Sequence, residues 1–471
     1  MFTKIVLSTF ISFLVWGMGY SEKRPNIIFF LVDDINAGFL GCAGHPVLKT
    51  PHVDALAAEG TRFSQMLVTT SICAASRASI FTSLHERTHK YTFKTPALSK
   101  EFTTNSYSRL LRDAGYKTGY VGKFGVGMEK GEKDKMFSEI QEINRNPFFK
   151  KQPDGSLRHE TELCGDWAEG FLERSKNEPF CLAVSFNAAH AEDGDKVNHF
   201  PWPKAVDGMY DDVDIAYPDL HREEVFESQP EFLQKSLNRE RYFWRWDTKE
   251  KYQHNMKAYL RMISGIDGVV GRVMSKLKSL KLDDNTIVIF TGDNGYYAAK
   301  RGFAGKWSHY EESLKVPLVI YDPRNKTKGQ VSDEICLNID LPATMLNYAG
   351  VKIPAQYQGK SLVKVIEGKT SNWRKDSFHE HLMNHNPIPK WEGVRNENFV
   401  YANYFQQDPP FEFLHDLKKD PQQLTNLAKN PEYAKVLEKL RSRSLALRKS
   451  YGKEYSLENF PNVGKRKPKK K

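Results

Sequence analysis

A chain of 471 residues with 40% hydrophobic and 27% charged positions carries enough apolar sequence for one large core plus an appended unit, which excludes a disordered or fibrous protein. Its formal charge of +11 is not distributed as in a nucleic-acid binder: six of the last seven residues are basic, and without those six and Lys4 the balance falls to +4. Five cysteines (Cys42, Cys73, Cys164, Cys181, Cys336) are too few and too scattered for a disulfide scaffold or a zinc site.

In chain order, residues 1–21 read as an export signal, with Lys4 as its positive start, an apolar run over 5–18, and small residues at Gly17, Gly19 and Ser21 for cleavage. That run is shorter than the ~20 residues that span a bilayer, and no later stretch is long and apolar enough. The mature chain is therefore expected to be secreted or periplasmic, with no stable membrane insertion. Residues 27–32 (IIFFLV) form a continuous apolar run, the pattern of a strand buried on both faces. Segments 53–59 and 107–114 read as helices, the second leading through Gly115 into a strand at 118–121, and 180–186 (FCLAVSF) reads as another buried strand. Residues 191–255 form a long insertion rich in Trp, Tyr and Asp. Tyr259, Met262, Ile263, Ile266, Val269, Val270, Val273 and Leu277 recur at helical spacing, which predicts a long core-packing helix over 255–280. Runs at 286–290 (TIVIF) and 316–321 (VPLVIY) complete a strand–helix alternation, hence an α/β sandwich with a mostly parallel central sheet, assigned to 22–350. From 351 to 463 the pattern changes to short polar and aromatic strands at 398–404 and 410–417, then a charged helix at 431–450. This predicts a smaller C-terminal α+β subdomain with an antiparallel sheet, ending in a solvated basic tail at 464–471.

Asp33 and Asp34 fall where the first buried strand ends, and ligands of open α/β sheets bind at that carboxyl edge. Asp293 and Asn294 stand at the end of a second such strand. Together the two clusters offer hard oxygen ligands, which suit calcium or magnesium better than zinc. Between them, Cys73 is placed at the start of a helix running to about residue 83, where free amides and the helix dipole favour negative charge. Read from the residues alone, Cys73 is either a small buried hydrophobe or a reactive thiol beside Arg77.

At these residues the chain resembles a known family. Cys73-Ala74-Ala75-Ser76-Arg77 is a form of the Cys-x-Pro/Ala-Ser-Arg motif of formylglycine-dependent sulfatases, within the alkaline phosphatase superfamily. NIIFFLVDD at 26–34, GYKTGYVGK at 115–123, NAAH at 187–190, TGDNG at 291–295 and KWSHYEESLKVP at 306–317 match further family segments in the same order. The resemblance implies that Asp33, Asp34, Asp293 and Asn294 bind calcium, with Cys73, oxidised to formylglycine by a maturation enzyme, as a further ligand. It implies that the hydrated aldehyde attacks the sulfur of a sulfate ester, that Arg77, Lys123 and Lys306 balance its charge, and that His190 protonates the departing alcohol. A sulfated carbohydrate is the implied substrate, with no nucleic-acid partner.

One feature departs from the family pattern. Many members carry a His shortly after the Lys corresponding to Lys123, assigned to the base that drives sulfate release; here the segment is Gly122-Lys123-Phe124-Gly125-Val126. Water at Gly125, His89 or His309 is the expected replacement. His379, Glu380, His381, Trp391 and Arg395 precede the C-terminal strands, and of these His381 and Arg395 are carried as substrate contacts, with subdomain packing as their other reading. Trp244 and Trp246, alternating with Arg241 and Arg245, either face sugar and its anionic groups or form a packed aromatic lid. The alternatives left open are a phosphodiesterase or phosphonate hydrolase of the same superfamily and a noncatalytic sulfated-glycan-binding homologue. Retention of all four metal positions and both lysines argues against the latter.

Overall fold

The computed structural model describes residues 24–93 and 96–452. The export signal expected at 1–21 and the basic tail at 464–471 lie outside the described residues. The chain builds an eight-stranded sheet from β1 (Asn26–Val32), β2 (Thr61–Phe63), β3 (Lys117–Gly122), β4 (Glu139–Glu142), β5 (Phe180–Ser185), β6 (Thr286–Gly292), β7 (Leu318–Tyr321) and β8 (Gln330–Ser332). The strand order is β8-β2-β7-β6-β1-β5-β3-β4, and all pairs are parallel except the two made by β7. The mostly parallel sheet expected from the sequence is thus present.

β1 is fully buried because each side chain faces one of two cores. Ile27, Phe29 and Leu31 join the core that also takes Ala74, Ala78 and Phe81 of α2 (Cys73–Thr82) and Tyr107 and Leu111 of α3 (Tyr107–Asp113). Ile28, Phe30 and Val32 face the other core, with Val53 and Leu56 of α1 (Pro51–Glu59), Phe171 of α4 (Glu160–Ser175) and Ile263, Ile266 and Val270 of a 31-residue helix, α6 (Lys249–Ser279). A strand covered on both sides needs an unbroken apolar run, which is why IIFFLV was legible. The long helix begins earlier than its expected start because Tyr252 extends the same buried stripe and the Thr248 side chain caps the first turn, accepting from Lys251 N. The insertion before it folds into short helices ending in α5 (Leu237–Arg245).

A second sheet, antiparallel and in sequential order, consists of β9 (Asp376–His381), β10 (Trp391–Asn396), β11 (Phe399–Tyr404) and β12 (Phe411–Asp416). One face packs Phe378, Val394, Tyr401 and Leu414 against Leu437, Leu440 and Leu447 of α8 (Ala434–Gly452), while Trp391, Ala402, Tyr404 and Phe413 on the other join the main core. The expected boundary near 350 falls just after α7 (Asp340–Tyr348). The sequence reading found β11 and β12 but not β9 and β10. Their sequences, DSFHEH and WEGVRN, have no apolar run, yet most of their residues are buried. Ion pairs take the place of apolar contacts there: Arg87 reaches Glu380 and Glu392, each at 2.7 Å. Among the described residues no helix is long and apolar enough to cross a membrane.

Candidate active site

The first site residues follow directly from strand ends. β1 stops at Val32, and Asp34 takes a left-handed conformation (φ 57°), which an Asp tolerates better than most residues. The turn is fixed by Tyr259 Oη, which donates to the Asp34 carbonyl at 2.8 Å. β6 pairs in register with β1, Val32 opposite Gly292, so Asp293 and Asn294 emerge beside Asp33 and Asp34. A Cβ on Gly295 would lie 2.3 Å from the Glu312 carbonyl oxygen, so glycine alone lets this loop lie against residues 312–313.

Carboxylate oxygens of Asp33, Asp34 and Asp293 come within 4.8 Å of one another, all three side chains being buried. Each is answered by one cation. Lys123 contacts Asp33, Lys306 contacts Asp34, and Arg77 Nε donates to Asp293 Oδ2 at 2.7 Å. Asn294 Nδ2 donates to Asp34 Oδ1 at 2.6 Å. Burial opposes ionisation of Asp33, but Lys123, Lys306 and Arg77 hold its carboxyl below the usual range. Burial and the neighbouring Asp33 push Asp293 up to about 6. Crowding of this kind is relieved by a bound cation.

The donor set fits such an ion. Asp33 Oδ1 and Asn294 Oδ1 are buried and have no hydrogen-bond partner among the described residues. Orphaned buried oxygens are costly unless something fills their valence. The four expected ligand residues are therefore together, and their oxygens suit a hard divalent cation. The thiol of Cys73 is not part of the carboxylate cluster among the described residues.

Cys73 is the first residue of α2, every residue of which is buried. The small side chains of Ala74, Ala75, Ser76 and Ala78 allow this helix to pack closely on the sheet. Cys73 is 9% exposed, and it lines a cleft of about 1280 Å³ with Lys123, Gly125, His190 and Lys306. Arg77 lies one turn further along, donating to the Lys123 carbonyl at 2.6 Å as well as to Asp293.

His190 follows β5 on a loop held by Glu160, which accepts from Asn187 Nδ2 at 3.2 Å and from Ala188 N at 3.0 Å. Its Nε2 is 3.7 Å from Asp34 Oδ2. Nδ1 faces the Ala191 carbonyl at 2.8 Å, and Arg145 Nη1 rests against the ring, nearer to Nδ1 than to Nε2, from which it is 3.1 Å away. Burial, then Arg145, Lys306 and Lys123, hold the His190 imidazole well below its ordinary range.

Other expectations are corrected. His381 and Arg395 do not line the cleft: His381 is fully buried in β9, and Arg395 pairs with Glu311 at 3.1 Å and donates to Gln65. Their place is in the packing between the subdomain and the main core. His89 and His309 are also away from it. His89 Nε2 meets Ser79 Oγ at 3.0 Å and its Nδ1 accepts from Tyr91 N, while His309 is spent on Tyr404 and His415. Trp246 is wholly buried against Phe200 and Tyr252. The indole that does reach the cleft is Trp307, with Met383 and Ile388 from the β9–β10 loop. Sequence reasoning also missed Arg145 and Asp193 in the same cleft; no motif marks either.

Comparison with known proteins adds the following. A family model described as Sulfatase matches residues 25–351, and one described as N-sulphoglucosamine sulphohydrolase, C-terminal, matches 299–450. The chain is 28% identical to an N-acetylglucosamine-6-O-sulfatase of Bacteroides thetaiotaomicron, covering 89% of this chain and 85% of that protein. It is 27% identical to a ulvan-active sulfatase of Formosa agariphila, over 89% and 79% of the two chains. Among solved structures, one described as a complex with its substrate D-glucosamine-2-N,6-O-disulfate superposes with a TM-score of 0.77 at 25% identity, over 91% of this chain and 98% of that one. A phosphonate monoester hydrolase from Silicibacter pomeroyi shares the fold, with a TM-score of 0.78 at 20% identity over 91% and 96%.

Proposed function

The chain belongs to the sulfatase family of the alkaline phosphatase superfamily and is a sulfuric ester hydrolase, and we propose that it desulfates a carbohydrate outside the cytoplasm, using formylglycine made from Cys73 and a calcium ion. The observation that carries this reading is the meeting of Asp33, Asp34 and Asp293, each with its own cation, beside a Cys at the first position of a buried helix. Asp33, Asp34, Asp293 and Asn294 would hold the ion, with the modified Cys73 side chain as a further ligand. Calcium held there would supply positive charge that acidifies the nucleophile. Formylglycine, when formed by a maturation enzyme, supplies a hydrated aldehyde as that nucleophile.

The chain's own groups have distinct tasks. Lys123, Lys306 and Arg77 surround the reacting position with fixed positive charge, preorganised by their carboxylate partners. Lys306 is 2% exposed, and although burial opposes its charge, Asp34 holds its pKa above the ordinary range. His190 is assigned to donate to the departing alcohol. Because burial and the surrounding cations disfavour the imidazolium, His190 would take up the proton it donates from solvent in the cleft, once the substrate's negative charge has entered. With His89 and His309 committed elsewhere, the proton lost during sulfate release goes to water in the space beside Gly125. A His at 125 would need φ +73° and would bring its Cβ 3.0 Å from Arg77 Cδ.

A carbohydrate substrate is supported by the two relatives named for glycan desulfation and by the cleft itself. Its volume exceeds what a small ester needs, and Trp307, Met383 and Ile388 give it an apolar wall against which a sugar face can lie. Assays of the matured enzyme on sulfated oligosaccharides and on a phosphonate monoester test this reading. We expect kcat/KM at least about 100-fold higher for the sulfate ester, the size of a few lost charge-matched contacts. The reverse preference would make the chain a phosphonate hydrolase.

Lys123→Ala and Lys306→Ala should each lower kcat on the order of 10²–10³-fold while changing KM much less, as removal of a transition-state donor does. Steady-state kinetics with a thermal-melting control check this. A loss confined to KM would make both residues ground-state sulfate binders.

A further inference from the structure

The cleft holds more positive charge than cleavage of one sulfate ester uses. Lys123, Lys306 and Arg77 are each matched by a carboxylate of the metal cluster. Alongside lies a second group, Arg145, Arg241 and Arg245, with a single carboxylate among them. Asp193 takes Arg241 Nη2 at 3.0 Å and also pairs with Arg245. Glu192, the next acid in the chain, turns instead to Asn146 Nδ2 at 2.8 Å. Arg145 forms no ion pair among the described residues; its guanidinium rests on Asn146 and the His190 ring.

Arg241 is held in place from several sides. Its guanidinium carbon lies 5.1 Å from the Trp307 ring centroid and 5.8 Å from that of Trp244, with Asp193 gripping one nitrogen. Its Nε is buried without a hydrogen-bond partner among the described residues. Arg145, Asp193, Arg241, Trp307 and His190 all line the cleft that contains Cys73. Two guanidiniums, one paired with Asp193 and one without an ion pair among the described residues, thus face one space beside an apolar wall. A guanidinium fork is matched by a planar or tetrahedral oxyanion.

We propose that Arg145 and Arg241 form a second anion subsite, so that the preferred substrate carries, besides the sulfate ester cleaved at Cys73, a further sulfate or carboxylate on the same or the adjoining sugar. This rests on the sulfatase reading above and narrows its substrate class. It also gives Arg145 a reason to leave His190: the substrate's second anion draws the guanidinium away and frees the imidazole.

The test uses the full-length, calcium-loaded chain carrying Cys73→Ala, which binds without turnover, and isothermal titration. The ligands are N-acetylglucosamine 6-O-sulfate, glucosamine 2-N,6-O-disulfate, and the monosulfate linked to a glucuronate. Addition of the second anion should lower Kd about tenfold or more, and Arg145→Gln with Arg241→Gln should shrink that gap to within about threefold. A gain with the disulfate alone identifies a sulfate subsite, and a gain with the uronate alone a carboxylate subsite. Should the double variant fail to fold, Arg145→Gln on its partly exposed loop should still remove a substantial part of the gap. Equal Kd values for all three ligands, or a gap unchanged in the variants, would overturn the subsite while leaving sulfatase activity intact. Failure of the matured wild type to release sulfate from a wider panel of sulfated oligosaccharides would overturn the carbohydrate reading on which the subsite rests.

Discussion

Replacing Cys73 with Ala abolishes turnover and leaves the fold in place. Covalent catalysis fails when its nucleophile is removed, and losses on the order of 10⁴–10⁶-fold in kcat accompany such changes. The stability cost is small by comparison. Ala is the best helix former, Cys73 is the first residue of α2, and its side chain borders the cleft rather than the centre of a core. Deleting one sulfur at such a position costs about 1 kcal/mol. Activity and melting temperature should therefore separate cleanly. The same position reports on maturation, because peptide mass analysis of active enzyme should show the thiol sulfur of Cys73 replaced by oxygen. Full sulfatase activity in protein whose Cys73 is entirely thiol would refute the formylglycine nucleophile.

Removing the divalent ion should have the next largest effect. Exhaustive chelation should reduce activity at least about 100-fold, and calcium should restore it better than zinc, because the donor set is all oxygen. Chelation should also lower the melting temperature by a few degrees. The buried oxygens Asp33 Oδ1 and Asn294 Oδ1 are then left without a partner, and ligand binding at about 100 times Kd contributes ~2.7 kcal/mol. Asp293→Asn keeps the side-chain volume but withdraws one ligand charge and the partner of Arg77, both of whose ends are buried. Breaking a buried pair from one side costs about 3–5 kcal/mol, so this variant should melt lower and need far more calcium for half-maximal activity. Activity indifferent to both chelation and Asp293→Asn would remove the metal from the reaction.

The fold was legible wherever burial is two-sided. Strands such as 27–32 and 286–290 must be apolar throughout when helices cover both faces, and the long helix must repeat its apolar stripe. The subdomain was half legible. β11 and β12 carry aromatic residues, whereas β9 and β10 bury charged side chains that are satisfied by partners such as Arg87, about 300 residues away in the chain. No local pattern announces such a strand, because its burial is balanced by residues elsewhere.

The same division runs through the site. Asp33, Asp34, Asp293 and Asn294 could be placed together from the sequence because strand ends and parallel pairing put them there, and Cys73 because a helix begins at it. Which histidines face the cleft could not. His89 and His309 lie close in sequence to site motifs, but helix and loop direction turns them onto Ser79, Tyr404 and His415. Nor could the meeting of Arg145, from the loop after β4, with Arg241, from α5 in the insertion. The sequence alone was enough for the family, and with it sulfate-ester hydrolysis, because five motifs stand in the family's order along the chain. Tertiary contacts decided the surroundings, namely the pairing of each acid with its cation and the meeting of Arg145 with Arg241 in the cleft, because they join segments whose separation along the chain carries no signal of their nearness in space.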